Sequence, residues 1–137
     1  MPENVHIVGL MNTADRSLAM VDYALRRRFR FVELRPQFGQ PSFAEHLRAH
    51  HASDEMVKRI VDRMGQLNDR IEQDHKNLGR GFCIGHSFFC LNGKDSVADE
   101  EWYRSVIIGE LKPLIEEYWF EKRETSKKWV DQLLNES

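Results

Sequence analysis

The feature that most constrains the fold is an apolar run followed at once by short polar side chains. The run Val5-His6-Ile7-Val8-Gly9-Leu10 is short, rich in β-branched residues, and soon followed by polar turn-formers. This pattern predicts a buried strand, and strands apolar on both faces are typical of parallel sheets. Because open α/β sheets bind ligands at the carboxyl ends of their strands, Asn12, Thr13, Asp15 and Arg16 form a candidate site for water and phosphate.

The next stretch predicts one short helix and a second strand. Ser17 is a suitable N-cap for a helical turn over residues 17–25. Three arginines follow, and residues 29–34 are again apolar enough for a strand. The first 35 residues are therefore expected to supply two strands of a parallel sheet and one short helix.

The rest of the chain predicts helices after a connection rich in proline and glycine. Residues 36–41 form that connection, the expected hinge between a domain over residues 1–35 and a helical domain over residues 42–137. In the helical domain, Ser53 is expected to cap a long helix that runs to about Leu78, with apolar residues at helical spacing. Further helices are expected at residues 42–49, 99–110, 113–120 and 124–134, and residues 85–91 are expected to form a loop that opens a short helix.

Composition limits the class of protein. A chain of 137 residues with 41% hydrophobic and 31% charged residues is one ordinary globular domain in size, and a formal net charge of −2 argues against a strongly basic nucleic-acid-binding domain. No apolar stretch approaches the roughly 20 residues of a membrane span, and the start lacks the pattern of a signal peptide. Cys83 and Cys90 are expected to be reduced thiols of a cytoplasmic protein.

Several motifs together resemble a known family. Besides the run from Val8 to Leu18, they are Asp22-Tyr23-Ala24-Leu25-Arg26-Arg27-Arg28-Phe29, Gly79-Arg80-Gly81-Phe82, Ile84-Gly85-His86-Ser87-Phe88-Phe89 and Pro113-Leu114-Ile115-Glu116-Glu117-Tyr118. In these motifs the chain is similar to the second half of an AAA+ nucleotidase core and its helical lid. Within that class it resembles the GTP-hydrolysing McrB subunits of modified-cytosine-dependent restriction systems, and the resemblance covers nearly the whole chain.

The resemblance implies a fold, cofactors and partners. The fold would be an α/β fragment, mostly helical, in which two strands end a parallel AAA+ sheet and an α-helical lid bundle follows. The full-length protein would bind GTP, or ATP, with Mg²⁺ and assemble into a hexameric-type ring. It would act on methylated DNA together with a McrC-like nuclease subunit. No membrane partner is expected.

The resemblance also assigns roles to individual side chains. Asn12 would be the sensor-1 residue, and Arg27 or Arg28 would be an arginine finger that reaches the nucleotide of the next subunit, since a guanidinium stays charged and binds phosphate oxygens bidentately. Each assignment has a simpler alternative, namely a turn at Asn12 and a basic helix end at the arginines. The residues expected at the subunit interface or in nucleotide sensing are Thr13, Asp15, Arg16, Arg26, Arg80 and His86.

One motif that such an enzyme needs does not occur. No Gly-x-x-x-x-Gly-Lys-[Ser/Thr] loop is present, and the only Gly-Lys pair, Gly93-Lys94, is followed by Asp95. The acidic run at residues 99–101 follows no apolar strand, so it does not match a magnesium-binding strand end. We therefore expect this chain to be a C-terminal piece of a larger enzyme, without bound nucleotide or hydrolysis of its own.

Two other functions fit parts of the pattern. A MoxR-like AAA+ ATPase chaperone would share the core motifs, and a helical interaction module without catalysis would share the helical part. His46 and His50 have the i, i+4 spacing of metal ligands, but they lack the zinc-hydrolase motif, and a solvated helix face is the simpler interpretation. No metal site is expected.

Overall fold

Five α-helices dominate the computed structural model, which describes residues 4–12, 27–93 and 96–135. Two short 3₁₀ turns, Arg80–Phe82 and His86–Phe89, follow the long second helix, and a π-helical turn, Ile107–Leu111, joins the third helix to the fourth. The α-helices are α1 (Pro41–Ala49), α2 (Asp54–Gln73), α3 (Glu100–Val106), α4 (Lys112–Tyr118) and α5 (Arg123–Leu134).

Helix α2 is the central element of the bundle. Ser53 caps it by accepting a hydrogen bond from the main-chain N–H of Met56 at 3.1 Å, and two acidic residues in the first turn favour the helix dipole. The apolar stripe predicted from the sequence is buried, which confirms the predicted core-facing helix. Its members are Met56, Ile60, Met64, Leu67 and Ile71.

Helix α2 ends at Gln73, about five residues before the predicted end near Leu78. The carboxylate of Asp74 accepts hydrogen bonds from the main-chain N–H and the side-chain amide of Asn77. Such local bonds compete with helical ones. The chain then turns at Gly79, whose φ of 111° is a conformation that side chains with a Cβ rarely adopt.

Helices α3 and α4 are continuous through the π-helical turn. Asp99 caps α3 by accepting from the main-chain N–H of Trp102 at 2.8 Å. Pro113 has no N–H to donate to the carbonyl four residues earlier, and its ring crowds that carbonyl. A wider turn at Ile107–Leu111 relieves this conflict while the main chain stays helical on both sides. The sequence predicted two helices here, and the structure joins them.

The core lies between α2 and the layer formed by α3, α4 and α5. Helix α2 packs against α1 and α5, and α5 packs against α4 and the π-helical turn. Tyr103 and Arg63 both donate to the main-chain carbonyl of Leu133, each at 2.8 Å, so they fix the last turn of α5. None of the described helices is long and apolar enough to cross a membrane.

The two predicted strands are not confirmed. Residues 5–12 and 29–36 contain no strand in the described part of the chain, and their apolar side chains are exposed. A strand needs a neighbouring strand to pair its main-chain N–H and C=O groups, whereas a helix pairs them within itself. The helical part of the predicted fold is therefore present, and the two-strand sheet remains a prediction. We call residues 5–11 and 29–34 the apolar segments.

The predicted hinge is packed against the helical bundle. Phe38 is buried among aromatic rings, and α1 already begins at Pro41. The predicted domain boundaries at residues 35 and 42 stay a prediction, but the structure places residues 37–40 with the bundle.

Candidate functional site

A groove of about 1080 Å³ lies between the apolar segments and one face of α2. Residues 7–11 and 29–36 form one wall. The other wall is a second stripe along α2, distinct from its buried stripe, together with the turn that contains Arg80. The residues of this stripe recur at helical spacing and are Val61, Gly65, Asn68, Asp69 and Glu72.

Gly65 leaves open space along this wall of the groove. Gly65 lies in the middle of a 20-residue helix, where glycine costs about 1 kcal/mol relative to alanine. A Cβ added there would meet nothing within 4 Å. The helix thus carries an intrinsic cost at a position where packing within the described chain leaves room for a methyl group.

Four charged side chains, including that of Arg80, form a network of ion pairs across the groove. The Nε of Arg80 donates to Glu72 Oε1 at 2.8 Å, and its Nη1 lies 3.9 Å from Glu33 Oε2. Arg35 lies 3.8 Å from Glu33 and 3.9 Å from Glu72. The hydrogen bond from Arg80 holds the pKa of Glu72 below its ordinary value, and the same bond raises the pKa of Arg80. These pairs are exposed, so each contributes little to stability.

Asn68 sets the position of the chain that carries Arg80 and His86. Its side-chain Nδ2 donates to the carbonyl of Ile84 at 2.9 Å, and its Oδ1 accepts from the main-chain N–H of Ile84 at 2.7 Å. This pair of bonds fastens the segment between the two 3₁₀ turns to α2. The role of Asn68 is not predictable from the sequence, because a single polar residue beside a core stripe carries no distinctive signal.

His86 faces the hinge. Its Nδ1 accepts a hydrogen bond from the main-chain N–H of Gln37 at 3.2 Å, and its ring packs edge-on against Phe38 and Phe43. Gly85 supplies an extended residue before the 3₁₀ turn that begins at His86. His86 is not part of the groove lining, whereas Arg80 is.

The structure describes only some of the other predicted site residues. Asn12 follows directly after the wall at residues 7–11, and Arg27 and Arg28 precede the wall that begins at Phe29. All three side chains are exposed. The predicted residues that lie outside the described part of the chain are Thr13, Asp15, Arg16 and Arg26.

Histidines and cysteines in the bundle have structural roles. His46 Nε2 accepts from the main-chain N–H of Leu91 at 3.1 Å, and the ring of His50 lies between the carbonyls of His46 and Gly93. Both histidines are half-buried, so they are not simply a solvated face. The described residues contain no group of three or more potential metal ligands. Cys83 and Cys90 are free, as predicted, and burial raises the pKa of both thiols.

Comparison with known proteins identifies the bundle. Residues 59–127 match the family described as McrB, alpha-helical lid domain, a range that runs from within α2 to within α5. The chain is also 44% identical over 138 residues to the Type IV methyl-directed restriction enzyme EcoKMcrB subunit of Escherichia coli strain K12. The match covers 100% of this chain and 30% of that curated relative. The chain therefore belongs to the McrB family and carries its α-helical lid domain.

Proposed function

We propose that this chain is the lid, with the adjoining end of the nucleotide-hydrolysing core, of a GTP-hydrolysing motor subunit in a restriction system that acts on methylated DNA. The observation that carries the proposal is the groove, where the apolar segments meet the face of the lid helix α2. Apolar segments of this kind suit strands at the end of a larger parallel sheet. The family of the bundle and the relative's name support a methyl-directed restriction system, and GTP hydrolysis is inferred from the resemblance of the sequence motifs.

In this proposal the polar residues at the ends of the apolar segments act on the nucleotide. Asn12 orients the attacking water or the γ-phosphate, since an amide both donates and accepts hydrogen bonds. Arg27 or Arg28 reaches the nucleotide of the next subunit and stabilises charge on the transferring phosphoryl group. The residues assigned to the subunit interface are Thr13, Asp15, Arg16 and Arg26.

In this proposal Arg80 is the lid residue that senses the nucleotide. Its guanidinium lines the groove beside the carboxylates of Glu72 and Glu33, and a phosphate oxygen arriving there would be a third anionic partner that competes with them. His86, the other candidate from the sequence, already has its Nδ1 engaged by the hinge. GTP or ATP with Mg²⁺ would be bound by the complete protein, and no Mg²⁺ ligand is assigned to this chain.

The proposal extends to partners and location. The complete protein would form a hexameric-type ring in the cytoplasm and work with a McrC-like nuclease subunit, reaching DNA through the whole complex. This chain alone would not hydrolyse nucleotide, because the phosphate-binding loop and the magnesium-binding strand would belong to other segments of the protein.

A mixing experiment with the complete protein tests the proposal. Asn12→Ala, Arg27→Ala and Arg28→Ala are assayed alone for GTP and ATP hydrolysis, and each arginine variant is then mixed with Asn12→Ala. Asn12 acts within its own subunit and the finger acts on the next one. Mixed rings thus contain some sites with both residues intact, and turnover should partly return.

Each result has a defined meaning. Partial recovery on mixing, with preference for GTP, supports the ring motor. Recovery with preference for ATP favours the MoxR-like chaperone. Full activity of both arginine variants would remove the finger assignment and leave the arginines as a basic helix end. Loss of hydrolysis that mixing never restores would contradict action across a subunit interface.

A further inference from the structure

We infer that His86 is a positioning residue that fastens residues 37–40 of the predicted hinge to the lid. The lid then pivots on the amino-terminal side of Gln37, at residues 34–36. The inference concerns the described contacts of this chain and holds whichever nucleotide the complete protein uses.

The first step is the attachment of the hinge to His86. The main-chain N–H of Gln37 donates to His86 Nδ1 at 3.2 Å. The next residue, Phe38, is only 6% exposed, and its ring lies edge-on to those of Phe43, at 5.4 Å, and Phe89, at 6.0 Å. His86 packs against both Phe38 and Phe43, so one ring holds the hinge and the start of α1 together.

The second step is the continuity of the main chain from Gln37 into α1. Gln40 donates its N–H to the carbonyl of Gln37, and Phe43 donates to the carbonyl of Gln40, each at 3.1 Å. Residues 37–43 are thereby tied to one another and to the lid core. These two bonds, together with the buried ring of Phe38, make residues 37–43 part of the lid, so we expect them to move with it.

The third step is the contrast on the other side of Gln37. Within the described residues 29–36, no backbone–backbone hydrogen bond reaches the helical part of the chain. This stretch meets the lid through the ion pairs from Glu33 and Arg35, at 3.9 Å and with side chains about half exposed. One exposed hydrogen bond, from the side-chain Nε2 of Gln37 to the carbonyl of Arg35 at 3.0 Å, also joins the two sides. Pro36 fixes its own φ and restricts Arg35 to extended conformations, so a change in main-chain direction here uses the torsions of Leu34 and the ψ angles of Arg35 and Pro36. The change in direction is therefore confined to residues 34–36.

The chemistry of the imidazole defines the test. Nδ1 accepts a hydrogen bond only when it carries no proton, so the bond from Gln37 requires an imidazole whose proton is on Nε2. The Oδ1 of asparagine reaches about as far from the main chain as Nδ1 does, whereas glutamine places its oxygen one methylene further out. His86→Asn should keep the bond to Gln37, and His86→Gln should lose it.

Amide hydrogen exchange measured by NMR on the 137-residue chain tests the attachment without nucleotide. His86→Ala should raise the exchange rate of the Gln37 amide about five- to tenfold, the loss expected for one hydrogen bond of ordinary strength. His86→Asn should restore most of the protection, and His86→Gln should not. The amides of Ile60 and Leu67 in α2 report whether the bundle remains folded.

Two outcomes would overturn the inference. One is unchanged exchange at Gln37 in His86→Ala, and the other is equal protection in His86→Asn and His86→Gln. If His86→Ala also loses protection in α2, the Asn and Gln variants alone decide, because they differ by one methylene and carry the same amide.

A second measurement on the complete protein separates this role from direct contact with nucleotide. A residue that positions the lid affects turnover more than substrate binding, so His86→Ala should lower kcat for GTP with KM little changed, and His86→Asn should recover it. A rise in KM that only a positively charged residue reverses would assign His86 to phosphate contact and overturn the positioning role. Absence of GTP hydrolysis by the parent would contradict the proposed function, while the exchange result would stand.

Discussion

The lid and the apolar segments contain similar apolar side chains, but the lid buries them and the apolar segments expose them. Ile60 and Leu67 in α2 have no exposed surface, whereas Val8 and Leu10 are 84% and 93% exposed. Both regions read as buried in the sequence. The difference is in how each satisfies its main chain: a helix bonds within itself and packs one stripe, and a strand depends on neighbours for both its bonds and its cover.

The two regions therefore differ in where the partners that bury their apolar side chains come from. The lid completes a core from residues of this chain alone, with α2 enclosed by its neighbouring helices. The apolar segments have side chains suited to a core that the described residues do not supply. Apolar surface left open at one contiguous place commonly marks an interface.

Two leucine substitutions, one in each region, should give the largest difference in the free energy of unfolding. Leu67→Ala removes a fully buried side chain and should lower the free energy of unfolding of this chain by about 2–5 kcal/mol. Leu10→Ala removes an exposed one and should change it by no more than about 0.5 kcal/mol. Urea denaturation followed by circular dichroism measures both. Equal costs would show that the apolar segments pack in solution.

The same two substitutions should differ less in their cost in the complete protein. If upstream strands cover the apolar segments there, Leu10→Ala should become destabilising by about 2–4 kcal/mol, since it then leaves a cavity. A cost that stays negligible in the complete protein would count against the proposed sheet, while Leu67→Ala serves as the constant reference.

A smaller effect is expected from the hydrogen bond that fixes the last turn of α5. Tyr103→Phe removes the hydrogen bond to the carbonyl of Leu133 and should cost about 1 kcal/mol, because Arg63 still bonds that carbonyl. Tyr118→Phe is the control, since its hydroxyl makes no hydrogen bond within the described residues and its ring keeps its contact with Phe82. Thermal unfolding of the two variants measures the difference. Equal losses would assign the effect of Tyr103 to packing.

The smallest effect concerns the ion pairs that bridge the two regions. Glu72 should titrate below the ordinary glutamate pKa, and Arg80→Gln should move it upward more than Arg35→Gln, because the bond from Arg80 is the largest cause of the lowering. A lowered pKa in the folded state means that the stabilisation is present above the ordinary value and is lost as pH falls through the lowered one. NMR titration of the Glu72 carboxyl carbon measures this, and equal shifts in both variants would refute the ranking.

Helices were predictable where one local pattern was sufficient. The stripe of α2 and the cap at Ser53 are present as expected, since spacing and capping act within a few residues. The end of α2 was misplaced because side-chain bonds between Asp74 and Asn77 override the helical pattern. The π-helical turn before Pro113 follows from the fit of one proline into a packed helix, which spacing alone does not reveal.

The site was less predictable than the helices because it depends on contacts across the chain. Arg80 was singled out by its motif, and the structure places it in the groove. The bond between His86 and Gln37 joins residues 49 positions apart, and the two bonds of Asn68 to Ile84 join residues 16 apart. The roles of Asn12, Arg27 and Arg28 depend on partners beyond the described residues and stay predictions.

The π-helical turn lets one helical run span the lid. Because it keeps α3 and α4 continuous from Glu100 to Tyr118, this run is about 28 Å long. Next to one end, the N–H of Ala98 donates to the carbonyl of His50; at the other, Tyr118 lies edge-on against Phe82, two residues from Arg80. One helical run therefore connects the segment after α1 with the turn that carries Arg80.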